Sequence, residues 1–222
     1  TISNFVKNDL IKFTGVNPEK ITVTLESADE LPKGNEPVDE LIGKKFIMYI
    51  GRPTPHKNLR RLIDAFALLQ KKYPDLTLAL AGKKDSNYAR HETYVNERGI
   101  KNVVFTGFIS DEQLRWMYEN TVVYCFPSLS EGFGLPGLEA MLHGAPVASS
   151  TATCLPETHG DAAHYFDPFS VKDIAKSIDD ILSDDKLRNE LIKKGKKHVK
   201  TFSWQRMAEQ TLAVYEKYGR KS

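Results

Sequence analysis

Two glutamates, Glu131 and Glu139, stand eight positions apart around the turn Gly132-Phe133-Gly134-Leu135. Pro136 fits a first helical position, where its missing N–H removes nothing from the helix. Leu138, Met141 and Leu142 follow at helical spacing, and Gly144 then Pro146 close the segment. Free N–H groups of the 133–136 turn and the positive end of a helix dipole therefore meet at one spot. Such a spot holds phosphate without a cationic side chain. Carboxylates do not serve phosphate; they accept hydrogen bonds from sugar hydroxyls. Phosphate plus polyol points to a nucleotide-sugar.

A second loop carries cations. In Gly51-Arg52-Pro53-Thr54-Pro55-His56-Lys57-Asn58, Arg52 and Lys57 bracket a proline-stiffened stretch ahead of a helix. A guanidinium fork and an ammonium point charge together suit a diphosphate. The loop is not a P-loop, which needs glycine before Lys57 and Ser or Thr after it. A surface loop with exposed cations is the competing reading, and Gly132–Leu135 on the same edge decides against it. His56, His91, His143, His159, His164 and His198 show no ligand spacing, so no metal site is expected. Paired carboxylates also serve glycosidases, but anion-binding backbone between them has no use for a neutral glycoside. Turn chemistry accounts for Asp161 and Asp167.

Positioning these loops falls to an alternation of short apolar runs and amphipathic segments. Strands are expected at Phe46–Ile50, Leu76–Ala81, Val103–Thr106, Val122–Phe126 and Pro146–Ser149, the first three ending at Gly51, Gly82 and Gly107. Leu59, Leu62, Ile63, Phe66 and Leu69 form a helical stripe; 87–98, Asp111–Glu119 (capped by Ser110) and Leu135–His143 are further helices. This order predicts an α/β fold: a Rossmann-like doubly wound parallel sheet flanked by helices, with extra C-terminal helices over 171–218. Ligands of such sheets bind at the carboxyl ends of the strands, where both loops fall. Upstream, a helix Phe5–Phe13, a turn and a strand Ile21–Leu25 are expected, then a polar linker to residue 44. Trp204, Met207, Leu212 and Tyr215 can pack the last helix onto a neighbouring surface, and where that partner is absent they are expected to leave apolar surface exposed.

Composition sets the outer bounds. The 222 residues are 41% hydrophobic and 27% charged with net charge +2, an ordinary globular balance that gives no case for nucleic acid. Lys193–Lys197 has acidic neighbours and reads as a solvated helix face. The two cysteines, Cys125 and Cys154, lack metal-ligand spacing, and a reducing compartment is the default. No apolar run is long enough for a membrane span, and no signal peptide is visible. Thr1 is not an initiator residue, so a fragment or processed product is expected.

Glu131-Gly132-Phe133-Gly134-Leu135-Pro136-x-Leu138-Glu139-Ala140-Met141, then Gly144-x-Pro146-Val147, resembles the E-x7-E signature of the retaining GT-B glycosyltransferases of family 4. Gly51-Arg52 with Lys57-Asn58 is similar to that family's diphosphate loop. Ala81-Gly82-Lys83, Val104-x-x-Gly107-Phe108-Ile109-Ser110, Pro127-Ser128, Leu155-Pro156-Glu157, Gly160–Ala163 and Phe166-Asp167-Pro168 resemble its other loops, and Phe202-Ser203-Trp204 its C-terminal crossover helix. The resemblance covers nearly the whole chain. It implies the donor-binding half of a two-domain enzyme. Residues 1–44 would be the tail of an N-terminal acceptor domain plus linker, 45–202 the donor domain, and 203–222 the crossover-type helix. The acceptor domain is then a missing partner, through which peripheral membrane association at the inner face is open, in a cytoplasmic enzyme.

Roles carry over on matching residues. Arg52 and Lys57 would bind the donor diphosphate and stabilise the leaving group, with Glu131 the third catalytic residue, contacting the transferred sugar together with the amides of Gly132, Phe133 and Gly134. Gly134 and Leu135 amides would meet the phosphates, and Glu139 the ribose hydroxyls. Gly51, Lys83, Phe108, Ile109 and Leu114 would complete the donor site around the base. The resemblance implies retention, no metal and no cofactor, the nucleotide-sugar being a substrate. It favours GDP-mannose, with UDP-sugars the main competitor. The alternatives are a nucleotide-sugar-binding module without transfer activity and, against the E-x7-E motif, an epimerase. The half alone is expected to be inactive.

Overall fold

A computed structural model describes residues 1–34 and 36–219. Asn35, within the expected linker, and positions 220–222, the end of the 203–222 segment, lie outside the described residues.

Six strands form one parallel sheet: β1 (Phe46–Ile50), β2 (Thr77–Ala81), β3 (Val103–Gly107), β4 (Val123–Phe126), β5 (Val147–Ser150) and β6 (Ala163–Phe166), in the order β3-β2-β1-β4-β5-β6. Met48 sits opposite Ala79 of β2 and Tyr124 of β4, which fixes the centre of the register. The helices are α1 (Asn4–Thr14), α2 (Leu59–Leu69), α3 (Ser86–Glu97), α4 (Asp111–Asn120), α5 (Leu135–Leu142), α6 (Leu155–His159), α7 (Val171–Ser183), α8 (Asp185–His198) and α9 (Trp204–Gly219).

Both sheet faces are covered, which is why the central strands are apolar at every position. Along β1, Ile47 and Tyr49 face α2, α3 and α7 through Leu62, Phe66, Tyr88 and Ile178. Phe46 and Met48 point the other way, toward Met117, Tyr118 and Leu138 of α4 and α5. Each fully buried large apolar side chain contributes about 1.5–3 kcal/mol to folding. The chain reverses its lateral direction between β1 and β4, so the loops after these strands diverge and leave a crevice at the carboxyl edge.

Several expectations need correction. Ile21–Leu25 forms no strand. It runs as an extended segment with Thr24 N donating to Thr1 O, and Leu25 packs on the core without joining the sheet. The sheet gains β6, and α6 precedes it, where turn chemistry alone was expected. Helix α5 begins at Leu135, so Pro136 is its second residue and brings no N–H to the turn. The polar segment before β1 is anchored rather than free, since Val38 and Leu41 are buried. Helix α9, by contrast, shows the exposed apolar surface expected of it: Trp204, Leu212 and Tyr215 are exposed, no residue is fully buried, and Met207, Thr211 and Val214 are half-buried. No helix among the described residues is long and apolar enough to cross a membrane.

Candidate functional site

The two loops singled out by their chemistry meet at the crevice between β1 and β4. Lys57 Nζ lies 2.6 Å from Glu131 Oε1, across 74 positions of sequence. Their side chains are 21% and 12% exposed, so the pair is shielded from bulk water yet still reachable. Lys57 also stands 6.0 Å over the Phe126 ring at the end of β4. Glu131 is held by its backbone: its N–H donates to Thr153 Oγ1 and its carbonyl accepts from Cys154 Sγ.

Asn58 fixes the cation loop. It adopts a left-handed conformation (φ 59°), which asparagine tolerates, immediately before α2. Its buried amide donates to the carbonyls of Pro127 and Pro168, tying the loop to the ends of β4 and β6. Arg52 is different. Its side chain is 77% exposed and its Nε sits 3.5 Å from Asp85 Oδ2, a loose pair that leaves the guanidinium available. The other oxygen of Asp85, Oδ1, caps α3 by accepting from the Tyr88 and Asn87 N–H groups; these bonds pull its pKa down, with Arg52 assisting.

The glycine turn is shaped for close approach. Gly134, the N-cap of α5, has φ 104°, and a Cβ there would come within 2.7 Å of Leu155 Cδ2. With Pro136 carrying no N–H, the donors at this helix start come from residues 133–135. Gly132 abuts Ile2 of the N-terminal segment, and Ser3 Oγ donates to the Gly132 carbonyl at 2.7 Å.

Glu139 lies one turn into α5. Burial raises its pKa; Asp111 and Asp29 add to this, while the Tyr118 hydroxyl, donating to Oε2 at 3.3 Å, opposes it. Tyr118 is itself fully buried and stacks on His143 at 6.0 Å.

A cleft of about 540 Å³ opens at the carboxyl ends of β1, β2 and β3. Gly51, Arg52, Lys83, Phe108, Ile109 and Leu114 line it, all six expected around a donor. Phe108 presents a ring that is 84% exposed. Asp85 and Asp111 also line the cleft and were not foreseen. The geometry thus brings together Lys57 with Glu131, and the cleft set with Arg52. Tyr118 and His159 support the site without having been foreseen, whereas Asn58 belongs to the expected diphosphate loop. Only Asn58 carried a local signal, an asparagine at a helix start. No cluster of three or more His, Cys, Asp or Glu side chains with metal-holding geometry occurs among the described residues.

Comparison with known proteins gives the relatives of this chain. Residues 34–198 match the family model described as glycosyl transferases group 1. The chain is 32% identical to the O-antigen chain mannosyltransferase B of Escherichia coli, over 97% of its own length and 59% of that protein. It is 32% identical to the MMP alpha-(1->4)-mannosyltransferase of Mycolicibacterium hassiacum, over 98% of its length and 53% of that protein. It therefore spans little more than half of these relatives. Among solved structures it is similar to sucrose-phosphate synthase from Thermosynechococcus elongatus (TM-score 0.84, 25% identity, all of this chain and 58% of that one). It shares its fold with Anabaena HepE, solved with UDP and glucose (TM-score 0.81, 19% identity, 98% of this chain and 62% of that one).

Proposed function

This chain belongs to the glycosyl transferases group 1 family, and we propose that it forms the donor-binding half of a retaining hexosyltransferase. The observation that carries the reading is the convergence of Lys57, Glu131 and the glycine-led start of α5 at the β1/β4 crevice. The cleft of about 540 Å³ at the carboxyl ends of β1, β2 and β3, lined by Lys83, Phe108, Ile109 and Leu114, is the place for the base.

In this reading the diphosphate lies between the cation loop and the N-terminus of α5. Gly134 and Leu135 amides donate to its oxygens, and the helix dipole adds to the field. Arg52 swings in from its exposed position and, with Lys57, stabilises the charge that grows on the departing nucleoside diphosphate. Glu139 accepts from the ribose hydroxyls. Glu131, anchored at the rim by Thr153 and Cys154, accepts from hydroxyls of the transferred sugar. Same-face attack by the acceptor hydroxyl on an oxocarbenium-like centre then retains configuration. The acceptor surface is assigned to a further domain of the whole protein, so the half alone binds donor without transferring it. Mannose from GDP-mannose is favoured, supported by the two mannosyltransferase relatives; a UDP-sugar comes next.

Calorimetric titration of this chain with GDP and UDP tests the reading. Saturable binding of one of them, weakened in Lys57→Ala, is expected. Binding of neither would overturn the donor-site assignment, and a preference for UDP would overturn only the choice of base.

A further inference from the structure

We propose that His159 is a positioning residue of the donor site, a buried wedge that sets the phosphate-binding turn at the start of α5. The inference rests on the reading that this turn holds the donor's phosphates.

His159 ends α6 and is completely buried. Its ring reaches under the first turn of α5: Nε2 lies 3.2 Å from the Gly134 carbonyl, and Nδ1 lies 3.2 Å from Ser149 Oγ on β5. A carbonyl only accepts, so Nε2 carries the proton and donates, leaving Nδ1 unprotonated and facing the Ser149 hydroxyl, which also reaches the Ser150 carbonyl at 3.2 Å. The ring is neutral at physiological pH, because burial pushes its pKa down to about 4. One imidazole thus joins β5 to the N-cap carbonyl of α5.

Two glycines record the fit. A Cβ on Gly137 would sit 2.3 Å from His159 Nε2, and one on Gly134 would sit 3.2 Å from it. The turn can lie this close to the ring only because both positions lack a side chain. Phe126 is tilted against the imidazole, with centroids 5.7 Å apart, and is also the ring beneath Lys57. A Cβ on Gly134 would meet both rings, at 3.2 Å from His159 Nε2 and 3.5 Å from Phe126, so the turn rests on the pair. Rotation of the Gly134–Leu135 peptide would break the Nε2 bond, so the histidine, together with the Gly137 N–H that donates to the same carbonyl at 3.0 Å, holds the Leu135 amide toward the diphosphate without touching it. Pre-setting donors in this way raises affinity by removing the cost of ordering them on binding.

The test compares wild type with His159→Leu, His159→Gln and Gly137→Ala. Leucine fills the space without a donor; glutamine returns an N–H near the Nε2 position; the Gly137 methyl displaces the ring while leaving it in the chain. Circular dichroism and thermal melting confirm folding. Affinity is then measured for GDP and UDP and for guanosine and uridine, which lack phosphate. His159→Leu and Gly137→Ala are expected to weaken the bound diphosphate about tenfold, with nucleoside affinity unchanged and His159→Gln recovering most of the loss. A histidine that merely stabilises the fold would lower melting temperature without changing the ratio of diphosphate to nucleoside affinity, and that result would overturn the inference. Wild type that binds neither diphosphate overturns the donor reading and this inference with it. Wild type and His159→Leu binding a diphosphate equally overturn the inference alone.

Discussion

Replacing Glu131 by glutamine separates the two jobs assigned to the ion pair. Unit charges about 4 Å apart at an effective dielectric near 20 attract by about 4 kcal/mol. Desolvation of two shielded groups consumes most of this, and the pair still reaches solvent. A net coupling of about 1 kcal/mol is left. Glu131→Gln frees Lys57 from that partner, so nucleoside diphosphate is expected to bind as tightly as in wild type or about fivefold tighter. Lys57→Ala removes a charge-assisted bond of about 1.5–3 kcal/mol and is expected to weaken binding about 10- to 100-fold. It also strands the Glu131 carboxylate, so Lys57→Ala should unfold more readily than the double variant Lys57→Ala/Glu131→Gln. Titration calorimetry and urea denaturation of the four proteins form one double-mutant cycle. A tenfold loss of diphosphate affinity in Glu131→Gln would refute the reasoning, because it would place Glu131 on the phosphates rather than on the sugar.

Other outcomes follow from neighbouring residues. Because the folded state raises the Glu139 pKa, that carboxyl favours folding least once ionised, and stability falls as pH rises above its ordinary 4.5. Glu139→Gln should therefore match wild type at pH 4 and melt higher at neutral pH while binding nucleotide more weakly, as read by melting curves and calorimetry. His159 behaves oppositely: its pKa falls from 6.5 to about 4, so the unfolded chain takes up the proton first and stability drops as pH falls through that window. The full gap is worth about 3 kcal/mol, and urea denaturation at pH 7 and pH 4.5 should show His159→Leu losing less than wild type. Gly134→Ala combines φ 104° with a 2.7 Å approach to Leu155, and should lower stability by about 1–3 kcal/mol. Phe108→Ala removes an exposed ring from the cleft; it should leave melting temperature unchanged and weaken nucleotide binding at least fivefold, toward the low end of about 1–3 kcal/mol for a stacked base.

Much of the fold was legible because the central strands are buried on both faces. Continuous apolar runs such as Phe46–Ile50 and Leu78–Ala81, each followed by a glycine, mark strand and turn together. The Ser110 cap was equally legible and forms a full capping box with Gln113. β6 escaped because it is an edge strand: Ala163-His164-Tyr165-Phe166 is half exposed in the middle and follows an Asp-containing turn. Ile21–Leu25 shows the converse: alternation that pairs with no strand of the sheet yields only an extended segment. The site's residues could be chosen from sequence because Arg52, Lys57, Glu131 and Glu139 sit in strand-end loops or just beyond them. Their partners could not. The bond from Lys57 to Glu131, the Tyr118 hydroxyl under Glu139 and the reach of His159 to Gly134 depend on which strands lie side by side. That order, with β1 next to β4, is a property of the assembled sheet rather than of any local pattern.

The central claim is that a nucleoside diphosphate lies between the cation loop and the start of α5. Its most direct test is an amide-resolved NMR titration of the chain with GDP and UDP. The largest shifts are expected on Phe133, Gly134 and Leu135, with Gly51, Arg52 and Lys57 moving at the same ligand concentration. Saturable shifts that leave residues 133–135 unmoved would contradict it.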